Sequence, residues 1–147
     1  MIRKRLGTFI IAEDDQTLEQ VVIDSLTSQN ATLATAEMFT SGAIATRLNP
    51  KPGNQDPIIQ NVVARNLKHL YRVVGMPVTE RNNILNLDIA KAISASLKKE
   101  SGSTYALSVL IDLDKGSDKI ELGGDIYIGI SGPDKTCLLY TSPSPRD

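Results

Sequence analysis

The stretch LATAEMFTSGAIATRL, residues 33–48, decides how this chain is read. It opens as a short apolar strand and passes through Thr40, Ser41 and Gly42. It then becomes a segment with helical spacing, whose small residues permit close packing on a sheet. A strand that hands a small polar loop to a helix start can present backbone N–H groups to an anion. Whether this loop still holds one is the question the rest of the chain has to answer.

Working outward, DDQTLEQVVIDSLTSQN precedes the stretch as a helix. Asp15 is its expected N-cap, Leu18, Val21, Val22, Ser25 and Leu26 share one face, and Gln29-Asn30 ends it. Before it, LGTFIIA (residues 6–12) reads as a strand or lead-in that could equally extend into that helix. After residue 48, NPKPGNQDP is an irregular loop with three prolines. IIQNVVARN is β-branched and strand-like, LKHLYRVVG is a helix or helical turn, and MPVTERNNIL is a connector. NLDIAKAISASLKKESG is the clearest helix. Asn86 caps it, Ile89, Ala90, Ile93 and Leu97 line a face, Lys98 and Lys99 suit its C-terminal dipole, and Gly102 lies just beyond its end. TYALSVLID is a buried strand, LDKGSDKIELGG a polar connection, and DIYIGIS a strand antiparallel to TYALSVLID. Strands alternating with helices, followed by a hairpin-like pair, predict a three-layer α/β/α sandwich with a mixed sheet.

At 147 residues the chain has the length of one domain, and 41% hydrophobic with 22% charged residues is ordinary for a globular one. A net charge of −1 gives no global field that would draw it to nucleic acid or to a membrane surface. The basic MIRKR start is expected to be a solvated lead-in rather than a contact arm. Glu13, Asp14 and Asp15 interrupt the apolar run behind it, which argues against a signal peptide. Cytoplasmic location is the resulting expectation, with no membrane span. CLLYTSPSPRD, residues 137–147, has no amphipathic period and resembles the in-frame translation of the transposase adapter used in short-read library preparation. Residues 1–136 are accordingly expected to form the domain, truncated at its C-terminus, with a non-native tail that contains the sole cysteine, Cys137. Disulfides and cysteine metal sites then drop out.

From Thr17 to Ile130 the chain resembles the CinA C-terminal domain, the competence/damage-inducible family of nicotinamide-nucleotide amidohydrolases. That family typically reads LATAESCTGGLLAARL where this chain has LATAEMFTSGAIATRL. GNQDPIIQNVVARNLKHLYRVVGM lies without gaps on the family's GSS…YSNEAK…LGV, and GDIYIGI matches its VGTVYIAL. The resemblance implies a cytoplasmic homodimer that hydrolyses the carboxamide of nicotinamide mononucleotide to nicotinic acid mononucleotide and ammonia, a step of NAD recycling. It implies no metal and no cofactor. The family's chemistry is attributed to a serine, a tyrosine and a lysine: a hydroxyl nucleophile, a route for its proton, and donors for the developing oxyanion.

Carried over position by position, that machinery is absent. Gly53 matches, but Asn54 and Gln55 replace the serines, Arg65 stands at the tyrosine position and Leu70 at the lysine position. Lys68 and Tyr71 lie nearby, but a register shift that recruits Lys68 breaks the match at Val74-Gly75 and supplies no serine. In the opening loop Glu37, Thr40 and Gly42 match the family, whereas Met38, Phe39 and Ser41 replace Ser, Cys and Gly. The neutral glycine-rich loop expected after YALSV has become acidic, with Asp112, Asp114 and Asp118, which would repel a phosphate. SGPDK (residues 131–135) echoes that loop in wording but lies past the last expected strand. The expectation is a pseudoenzyme that retains Glu37, Thr40, Ser41, Gly42, Gly53 and Arg65 as a vestigial ligand corner and serves nucleotide binding or protein contact. The alternative is an active deamidase with rearranged residues.

Single residues carry plainer readings beside these. Asp112, Asp114, Asp118 and Glu121 miss the spacing of a calcium loop and read as a solvated connection. His69, the only histidine, has no Cys or second His to share a metal and reads as an exposed helix residue. Glu37 divides evenly between capping the helix start and a remnant ligand contact. Arg65 is a surface arginine, or a guanidinium fork for a phosphate.

Overall fold

A computed structural model describes residues 15–49, 55–79, 84–113 and 124–141. Helix α1 spans Leu18–Ser28, strand β1 Leu33–Met38, helix α2 Ala43–Arg47, strand β2 Ile58–Ala64 and helix α3 Leu67–Val73. Helix α4 covers Leu87–Ser101, followed by strands β3 Tyr105–Asp112, β4 Asp125–Ser131 and β5 Thr136–Thr141. The strands form one mixed sheet in the order β2-β1-β3-β4-β5. β1 runs parallel to both β2 and β3, and β3, β4 and β5 are successively antiparallel.

The central position of β1 explains its composition. All six residues are buried, so apart from Glu37 it reads as a continuous run of small and apolar residues rather than an alternating one. Its even-numbered side chains Ala34, Ala36 and Met38 join Val62, Ala64, Ala106, Leu110 and Tyr127 under α3 and α4, which contribute Leu70, Tyr71, Ile93 and Leu97 among others. Leu33 faces the opposite way. With Ile58 and Leu48 it meets Val22 and Leu26 of α1 and Ile44 of α2. Helices thus cover both faces of the sheet, giving the three layers expected.

The helix ends are set by local chemistry. Asn86 caps α4 by accepting from the Ile89 N–H at 2.9 Å, and Gly102 closes it in the left-handed conformation at φ 70°. Asn66 caps α3 in the same way, accepting from the His69 N–H at 2.8 Å. The α1 cap is Thr17, whose hydroxyl accepts from the Gln20 N–H at 3.2 Å, and not Asp15, which lies two residues upstream. Nor does the α1 face extend as far as expected: Val22 and Leu26 pack on the sheet, while Leu18 is half exposed and Ser25 faces solvent. The Arg47 guanidinium and the Glu19 carboxylate form an ion pair that ties α2 to α1.

α4 lies unusually close to the sheet. A Cβ at Gly129 would fall 2.5 Å from the Ala90 carbonyl oxygen, and the Ser108 hydroxyl donates to that same oxygen at 2.7 Å. Glycine at 129 is therefore a packing requirement.

The sheet extends one strand further than the sequence suggests. Thr136–Thr141 pairs in full register with β4, and the rings of Tyr127 and Tyr140 lie 5.2 Å apart. Five of its six residues belong to the adapter-like stretch. SGPDK is therefore the β4–β5 hairpin turn rather than a segment past the last strand; Gly132 N–H donates to the Lys135 carbonyl at 2.9 Å. A β-branched and aromatic segment next to the open edge of β4 satisfies the backbone groups that edge leaves unpaired. Residues 6–12, Asp114, Asp118 and Glu121 lie outside the described residues. Among those described, no helix is long and apolar enough to cross a membrane.

Candidate functional site

β1 leaves the sheet toward α2 on one face and β2 leaves toward α3 on the other. Adjacent parallel strands whose connections diverge open a crevice at their carboxyl ends, where ligands bind in open α/β sheets. Residues 39–42 and Arg65 border this crevice. Because Met38 pairs with Ala64, Phe39 and Arg65 follow on neighbouring strands.

The centre of the corner is Glu37. It is completely buried, yet each of its oxygens is used. Oε1 accepts from the Thr40 hydroxyl at 2.7 Å and the Ile44 N–H at 2.8 Å, and Oε2 accepts from the Ala45 N–H at 2.9 Å. A helix start leaves its first N–H groups without intrahelical partners. Here a carboxylate from the preceding strand satisfies two of them and pins the loop hydroxyl as well. Of the two readings of Glu37, the geometry supplies capping. The anion that this helix start holds is the protein's own.

Around that anchor the loop is bent. Phe39, Ser41 and Gly42 have φ of 68°, 55° and 81°, so two side-chain-bearing residues occupy a conformation that favours glycine. Ser41 is the position that the resemblance sets against a glycine, a residue that takes this conformation without strain. Met38, which the resemblance sets against a serine, is buried in the core beneath α3 and α4. Gly42 lies over Val63, 3.4 Å from the site of an added Cβ. One polar pair escaped sequence reasoning: the buried Thr35 hydroxyl donates to Asn61 Oδ1 at 2.6 Å across β1 and β2. Only the strand register creates it, and no local signal announces it.

Among the described residues, the positions that the resemblance links to catalysis do not converge here. Gln55 lies at the opposite end of β2, where with Thr27, Asn30, Thr32 and Asp56 it lines a small open cavity of about 60 Å³. From there to the carboxyl ends is the length of a strand, about 20 Å. Leu70 is fully buried on the sheet side of α3. Arg65 is exposed beside the crevice, and Lys68 and His69 are exposed on α3. Tyr71 is buried in the core, and burial pushes its phenol up to about 12. Gly53 and Asn54 lie outside the described residues. Asp112 ends β3 two residues beyond the pairing of Leu110 with Met38, so one acid of the altered loop does border residues 39–42. No group of three or more metal-ligating side chains occurs among the described residues.

Residues 15–143 match the CinA C-terminal domain. The chain belongs to that family. Among relatives of this CinA-family domain, a competence-damage inducible protein of Desulforamulus reducens is 33% identical over 99% of the chain and 36% of its own length. A CinA-like protein of Myxococcus xanthus is 32% identical over 89% of the chain and 32% of its own length. The chain thus spans about a third of the length of these curated relatives. The CinA-superfamily protein of Enterobacter cloacae has the same fold, with a TM-score of 0.69 at 16% identity, covering 91% of this chain and 83% of that one. A competence or damage-inducible protein of Enterobacter asburiae superposes with a TM-score of 0.68 over 83% of this chain and 79% of that one.

Proposed function

We propose that this CinA-family domain has lost the amidase chemistry its resemblance implies and acts as a non-catalytic module that binds a nucleotide or a protein partner. The observation that carries this reading is the position of Leu70. The residue standing for the family's lysine is an aliphatic side chain closed into the core. A proton acceptor is thereby missing where nucleophilic attack on a carboxamide requires one. Arg65 and the two amides at Asn54 and Gln55 supply no replacement, since a guanidinium stays protonated and an amide is not a nucleophile. Asp112 beside residues 39–42 adds negative charge where a phosphate would approach.

The second reading, a working nicotinamide mononucleotide deamidase with rearranged residues, has one observation in its favour. Backbone strain at Phe39 and Ser41 persists beside the crevice, and such strain collects at functional sites. Incubation with nicotinamide mononucleotide, followed by mass spectrometry, separates the two. No nicotinic acid mononucleotide above the no-protein control is expected, and sustained product formation would replace the first reading with the second. Calorimetric titration with the same nucleotide then divides nucleotide binding from protein contact.

A further inference from the structure

We draw no further inference here: the strongest candidate, the apolar face that Ile111, Ile126, Ile128, Ile130 and Leu139 form across β3, β4 and β5 on the side of the sheet away from α4, carries none, because nothing in the structure shows what covers it.

Discussion

Replacing Glu37 by glutamine removes one charge and no volume, and the structure fixes what that costs. Three donors converge on the buried carboxylate: the Thr40 hydroxyl and the N–H groups of Ile44 and Ala45. Hydrogen bonds to charged groups contribute about 1.5–3 kcal/mol each, and a buried donor left unpaired costs about 1–3 kcal/mol. Glutamine keeps one acceptor oxygen for Thr40 and Ile44 but turns an NH2 group toward the Ala45 N–H. One charge-assisted bond is lost and two donors are opposed, so Glu37→Gln should destabilise the fold by about 3 kcal/mol. Glu37→Ala loses all three bonds and opens a void, for about 5 kcal/mol, whereas Thr40→Val loses a single charge-assisted bond at about 1.5 kcal/mol. Urea unfolding followed by circular dichroism measures all three. The midpoints should fall in the order Thr40→Val, Glu37→Gln, Glu37→Ala, with slopes close to wild type. A Glu37→Gln variant within about 0.5 kcal/mol of wild type would refute the capping argument, because a surface substitution does no more than that.

Leu70→Lys forces an ammonium into a core position with no exposure, and a loss of about 4 kcal/mol or more is expected in the same urea assay. Adding Asn54→Ser and Arg65→Tyr to it is expected to yield no deamidation of nicotinamide mononucleotide, because the acidic loop that begins at Asp112 still opposes a phosphate, and turnover in that triple variant would overturn this reading of the loop. Tyr71 adds an alkaline dependence. Its phenol is raised to about 12 in the fold against about 10 in the unfolded chain. The native state therefore keeps a proton that the unfolded state releases. This contribution is complete below pH 10 and is lost as pH rises toward 12, by about 3 kcal/mol in all. Tyr71→Phe should flatten that part of the stability profile and remove a late-titrating component from the phenolate absorbance of the wild type.

Much of the architecture is legible in one dimension because local chemistry sets it. Asn86 and Gly102 mark the ends of α4 through a side-chain acceptor and a left-handed backbone, and its 3.6-residue period names Ile89, Ala90, Ile93 and Leu97 as its buried face. β1 is recognisable from a run of small and apolar residues, as a strand buried on both faces requires. The LATAE motif points to the family for the same reason: a strand–loop–helix corner has short-range constraints that survive extensive substitution.

What the sequence leaves undecided depends on contacts between distant segments. Glu37 could serve as a cap or a ligand contact until Ile44 and Ala45 are placed in space, and the choice follows from where α2 docks. Asp15 and Thr17 are both chemically fit to cap α1, and only the backbone geometry chooses between them. The adjacency of Phe39 and Arg65, the separation of Gln55 from both, and the Thr35–Asn61 pair all derive from strand order and register. The strand β5 has the same origin, because an unpaired edge on β4 will take a β-prone neighbour whatever that neighbour's periodicity. α4 and its caps are satisfied within a few residues, so the sequence alone determined them. Sheet order, register and the corner built on Glu37 satisfy their hydrogen bonds across the chain, and only the tertiary structure decided those.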